Sequence, residues 1–191
     1  MKKKKGFGFI YEDALPAGEC ITVKLNVDGI DLETTAETAD IADNHCACVC
    51  AVNVLKLVQN NRKTVIAEQG IENENRHCFE LAHRYIVNGP IFRFRSRLKR
   101  FFGAIGCILV CKRAGGLAGI KSELEGGRPV ALMVHGDGLD FHWILAIGYK
   151  DYGNGTVYLN LVDNWNKRHD RYLKVKPHFT WFRAVKFIDR K

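Results

Sequence analysis

The chain has 191 residues, of which 47% are hydrophobic and 26% charged, which is enough for one core and ordinary for a globular protein. No stretch is long and apolar enough to span a bilayer, and the lysine run Lys2–Lys5 is followed by Glu12 and Asp13 too soon for a signal peptide, so a cytoplasmic protein is expected. A formal net charge of +8 comes without zinc-finger spacing or any other nucleic-acid motif, and seven cysteines, an odd number with three at positions 46, 48 and 50, argue for reduced thiols over a disulfide framework.

Residues 1–31 read as N-terminal strands, Phe7–Tyr11 and Cys20–Leu25, followed by an Asp28-Gly29 turn. Residues 32–45 are a polar, alanine-rich lead-in. At Asp43-Asn44-His45-Cys46 the polar residues stop and an apolar run at helical spacing begins, with Val52, Leu55 and Val58 on one face and Ala51, Val54 and Leu57 beside them. This predicts a buried central helix ending near Gln59, with Asp43 or Asn44 as its cap. A second helix fits Glu72 to Val87, with Cys78, Leu81, Ala82 and Tyr85 on one stripe, stopped by Asn88-Gly89-Pro90. An alternating strand is read at 91–95, then an apolar helix up to 113, and a short helix from Leu117 to Leu124 closed by Gly126-Gly127.

From Arg128 the pattern changes to strands: 128–134, Phe141–Tyr149, Thr156–Val162, Arg171–Val175 and Phe182–Ile188. Helices over 40–125 and strands over 128–191 predict an α+β chain in a single domain spanning 1–191, a helical half packed on an antiparallel β-sheet half. The basic residues of 91–113, Arg93 to Arg113, flank an apolar segment and read first as solvated charge around a core helix; an acidic partner or a membrane surface is the alternative, and nucleic acid the unlikelier partner.

Cys46 starts the central helix, where unpaired amides and the helix dipole favour a thiolate. If Asp151–Asn154 form a four-residue hairpin loop, residue 150 pairs with 155 and His142 falls opposite Asp163 on one face. A carboxylate on one imidazole nitrogen leaves the other free to take a proton from a thiol. Cys46 is then the nucleophile, His142 the general base and acid, and Asp163 the orienting carboxylate of an acyl-transfer site that needs neither metal nor cofactor. The cluster His45-Cys46-Ala47-Cys48-Val49-Cys50 does not read as a metal site, because alternate residues on a helix point about 200° apart.

The chain resembles papain-like cysteine peptidases, in particular the bacterial double-glycine leader peptidases of bacteriocin exporters. The likeness lies in Asn44-His45-Cys46-Ala47-Cys48-Val49, in Ile120–Val130 with its Gly127-Arg128-Pro129-Val130, and in His142-Trp143 through Gly148-Tyr149 with Asp163-Asn164-Trp165. The resemblance implies a helical half on an antiparallel sheet half, the site in the cleft between them, and a peptide or protein substrate. That family places a glutamine six residues before its nucleophile as an oxyanion donor. Six before Cys46 is Asp40, an acceptor, so the Cys46 amide and Asn44 are left as donors; alternatively Cys50 is the nucleophile, since Asn44 lies six before it. The altered position also admits an inactive relative that binds peptides in the same cleft.

Overall fold

Sixteen residues, Cys46–Asn61, form helix α1, around which the rest is arranged. The computed structural model describes residues 6–61, 75–89, 92–107, 109–136, 140–176, 181 and 183–189. From Ala47 to Leu55 every residue of α1 is buried, as are Leu57 and Val58. With no charged residue before Lys56, all faces of this helix can be covered. Lys56 escapes burial of its charge by donating to the Asp31 carbonyl.

A second helix packs on α1, and a third packs on the second and on the sheet. Helix α2, Asn75–Ile86, buries Cys78, Phe79, Ala82 and Ile86 and leaves Leu81 and Tyr85 half-buried. Residues 72–74 and Pro90, at the ends of the expected helix, lie outside the described residues, as do Lys2–Lys5. Helix α3, Phe94–Ala104, and strand β3, Leu109–Arg113, invert the expectation for 91–113. Phe94, Leu98, Phe101 and Phe102 recur at i, i+4, i+7 and i+8 and are all buried, so the first part is the helix. Leu109 and Cys111 alternate inward, so the second part is the strand. Helix α4, Leu117–Glu125, packs against the sheet.

The strands are β1 (Phe9–Tyr11), β2 (Ile21–Lys24), β3, β4 (Val130–His135), β5 (Phe141–Asp151), β6 (Val157–Val162), β7 (Arg171–Lys174) and β8 (Arg183–Asp189). Among the described residues they form one antiparallel sheet in the order β1-β7-β6-β5-β4-β8-β3, with β2 on β5. The chain is α+β, with helices packed on an antiparallel sheet; β3 lies inside the stretch read as helical yet supplies a sheet edge.

Strand β5 is the spine of the sheet and is buried continuously from His142 to Tyr149. At Gly148 a Cβ would collide with the Val23 carbonyl oxygen, so glycine is what lets β2 lie against β5 there. The β5–β6 hairpin corrects the expected register. Lys150 pairs with Tyr158, three places beyond the expected residue 155, because Asp151 and Asn154 side chains accept from Gly153 and Thr156 amides and build a wider loop. A further shift between Ala146 and Gly148 follows, and Leu145 pairs with Val162. Continued outward, that register puts Trp165, not Asp163, beside His142.

Candidate active site

His45 ends the lead-in, and its carbonyl accepts from the amides of Cys48 and Val49, which starts α1 at Cys46. Asn44 holds a left-handed φ of 51°, a conformation asparagine tolerates, and its carbonyl accepts from Gly89. These bonds fix Cys46 at the rim of the buried helix, half-exposed where Cys48 and Cys50 are fully covered. The Cys46 sulfur accepts the backbone N–H of Trp143 at 3.5 Å. The thiol therefore touches the residue that follows His142 on β5.

His142 is 3% exposed, yet it lines the same cavity of about 430 Å³ as Cys46, with Phe7, Thr35, Asn44 and Trp165. Its Nε2 lies 2.6 Å from the Asp163 backbone carbonyl. A carbonyl can only accept, so Nε2 carries the proton and Nδ1 has the free lone pair. The ring stacks on the Trp165 indole with centroids 4.1 Å apart and planes at 15°, and Phe7 stands 5.5 Å from both. Under this aromatic roof, burial pushes the His142 pKa down to about 4, and the bond to Asp163 offsets only part of that. Burial likewise raises the Cys46 thiol above its ordinary value, against which the amides of Trp143 and Ala47 pull. At rest the thiol and the imidazole that line this cavity are thus both held toward their neutral forms.

The Asp163 carboxylate is turned elsewhere. It pairs with Arg171 and accepts from the amides of Trp165 (2.9 Å) and Asn166 (3.3 Å), closing the turn after β6. What reaches the imidazole from Asp163 is its main chain. Asn44 sits at the cavity mouth, exposed, beside Cys46. Asp40 is an exposed ion-pair partner of Arg76 at 2.9 Å and does not line the cavity. Cys50 is fully buried and directs its thiol to the Ile144 carbonyl at 3.7 Å, which removes it from the cavity.

The other members of the cysteine cluster diverge. Cys48 donates to the Val87 carbonyl at 3.5 Å, and His45 Nε2 lies 2.8 Å from the Thr38 hydroxyl and 3.1 Å from the Thr35 carbonyl. Among the described residues no group of three or more His, Cys, Asp or Glu side chains is placed to hold a metal, and no helix is long and apolar enough to cross a membrane.

Two contributions to this site are not in the sequence reading. The first is Asn53, in the middle of α1 and fully buried. Its amide nitrogen donates to the Asn164 side chain and to the Glu33 carbonyl, each at 2.9 Å, and its oxygen accepts the Glu33 amide at 2.7 Å. Asn164 in turn donates to the Trp143 carbonyl at 2.8 Å, and its own carbonyl accepts from Thr35. One buried polar knot thus ties α1, the lead-in and the turn after β6 to β5 between His142 and Ile144. A lone asparagine within an otherwise apolar run was the available signal. The second is Phe7, brought over His142 by the β1–β7 pairing; Phe7-Gly8-Phe9 alternates, so both rings share a face and meet Trp165.

No family model matches the chain, and no curated protein matches it. Among solved structures, the chain is similar to a crystal structure from Bacillus anthracis provisionally described as a C39-like peptidase, at 13% identity and a TM-score of 0.48, over 88% of this chain and 98% of that one.

Proposed function

We propose that the chain is a cysteine peptidase, or a related thiol acyl-transfer enzyme, acting on peptide or amide bonds through Cys46 and His142. The observation that carries this reading is the contact of the Cys46 sulfur with the Trp143 amide, which holds a thiol at a helix start against the strand bearing a histidine whose tautomer is already set.

In this reading His142 Nδ1 takes the thiol proton as sulfur attacks the carbonyl carbon, so the ion pair forms with the reaction and not before it. The C–S bond forms as the carbonyl π pair moves to oxygen. The Cys46 amide, without an intrahelical acceptor in the first turn, and Asn44 at the mouth are the donors for that oxygen. His142 then returns the proton to the leaving amine, and water or another nucleophile releases the acyl group. Asp163 acts as a positioning residue: its carbonyl orients the ring, and its carboxylate, locked on Arg171, holds that carbonyl in place. The segments that resemble double-glycine leader peptidases make a peptide with small residues at the cut the first substrate class to try.

A second reading, a peptide-binding relative without turnover, is favoured by one observation: the Asp163 carboxylate is engaged by Arg171 and does not bond His142, so the imidazolium would lack the counter-charge that residue supplies in a triad. Iodoacetamide labelling at pH 7.5 with peptide mapping separates the two. The enzyme reading expects Cys46 to be modified ahead of the buried thiols and His142→Ala to slow Cys46 by about tenfold or more, with half-exposed Cys20 unaffected as internal reference. A Cys46 rate indifferent to His142→Ala supports the binding module.

A further inference from the structure

Trp143 also lines a second cavity. Its indole packs on Phe94 with ring centroids 4.0 Å apart, is fully buried, and has its N–H without an acceptor among the described residues. A buried indole N–H normally finds a partner, so this one is unfinished. The cavity that Trp143 lines measures about 200 Å³, and Arg93, Arg95, Arg113 and Arg183 line it with no carboxylate among the described lining residues. They converge from three elements: the start of α3, the end of β3 and the start of β8, where Arg113 pairs with Val185. The first residues of α3, Phe94 to Ser96, line the same cavity, and no side chain caps that end. An adjacent cavity of about 210 Å³ shares Arg113 and Arg183 and is bounded by the Gly115-Gly116 backbone.

We infer that this cavity binds a phosphate group, held by the guanidinium forks of Arg93, Arg95 and Arg113, with the Trp143 N–H as the buried donor at its floor. Guanidinium matches phosphate oxygens two at a time, and a helix start adds backbone donors and positive potential. Arg93, Arg95 and Arg113 brought to one cavity give it a positive potential that an anion would relieve. The inference is independent of the thiol chemistry, because none of these side chains lines the Cys46 cavity. The phosphate can be free, as in pyrophosphate, or a lipid headgroup.

The test uses the full chain labelled with ¹⁵N-tryptophan, with the Trp143 indole N–H resonance assigned by elimination using Trp165→Phe and Trp181→Phe. Sodium pyrophosphate is titrated at constant ionic strength. A saturable shift of the Trp143 resonance is expected, weakened about tenfold or more by R93Q/R95Q. K99Q/R100Q, which removes the same charge from exposed positions of α3 outside the cavity, should leave it unchanged. Sedimentation with phosphatidic acid vesicles, reversed by pyrophosphate, assigns a lipid headgroup to the cavity; absence of sedimentation with the pyrophosphate shift intact assigns a soluble phosphate. No shift of Trp143, a shift that does not saturate, or equal weakening by both double variants overturns the proposal.

Discussion

His142 is bound to Asp163 through the aspartate's backbone carbonyl, while the carboxylate of the same residue is paired with Arg171. A peptide carbonyl can choose the imidazole tautomer as well as a carboxylate can, but it brings no full charge to stabilise an imidazolium. The roles usually combined in one side chain are divided: the main chain of residue 163 orients the ring, and its side chain anchors the turn.

That division makes Asp163 replaceable for chemistry. Every residue carries a carbonyl, so Asp163→Asn, which keeps the turn-capping oxygen, should alter the rate of Cys46 acylation by an activated ester only within about fivefold. The same substitution leaves the Arg171 charge without its partner and should cost about 1–3 kcal/mol in urea unfolding. A loss of acylation by about a hundredfold or more, with stability unchanged, would mean that the carboxylate serves the ring directly.

The buried imidazole makes stability depend on pH in a set direction. The unfolded chain protonates His142 near the ordinary 6.5, whereas the folded chain holds it neutral down to about 4. The unfolded state therefore binds more protons in that window, and stability falls as pH drops from 6.5 toward 4. The difference amounts to about 3 kcal/mol from this group. His45 and His169, also lowered by burial, act in the same direction. Urea unfolding at pH 7, 5.5 and 4.5 checks this, and His142→Asn should flatten but not abolish the slope. The same depression keeps Nδ1 available as a base well below pH 6, so the acid limb of Cys46 reactivity should lie near pH 4.

Trp165 is what keeps water off that ring. Removing it in Trp165→Ala exposes one face of His142, and the imidazole pKa, followed by NMR titration, should climb back toward 6.5. An unchanged pKa would assign the depression to the strand environment alone.

The asparagine knot predicts a stability cost. Asn53→Ala strands the Glu33 amide and the Asn164 side-chain oxygen in the interior, and should lower unfolding free energy by about 1–3 kcal/mol. It should also slow Cys46 alkylation, because Asn164 would hold the Trp143 carbonyl less firmly.

Much of this arrangement is legible in the residues themselves. The central helix, the strand character of 141–149 and the α+β layering follow from apolar periodicity, which depends on burial and little else. What the sequence leaves hidden depends on side chains closing local loops. The Asp151 and Asn154 turns widen the β5–β6 hairpin, and the step near Gly148 moves the register once more, so an arithmetic pairing of His142 with Asp163 misplaces the carboxylate while still bringing residue 163 to the ring. The order of helix and strand in 91–113 was misread for a different reason: aromatic residues at 94, 101 and 102 suit both periods over a short window, and only the packing of α3 decides. Phe7 and the Trp143 cavity could not be foreseen, since they join elements more than 100 residues apart or lie between three of them.

The most direct test is to trap the acyl group. The chain is mixed with p-nitrophenyl acetate at pH 7.5, quenched in acid, and the adduct located by peptide mass spectrometry. A single acetyl group on Cys46, absent in Cys46→Ala and formed at least about tenfold more slowly in His142→Ala, is the predicted result. Acetyl groups spread over Cys20 and lysines, with Cys46 unmodified in the folded chain, would contradict it.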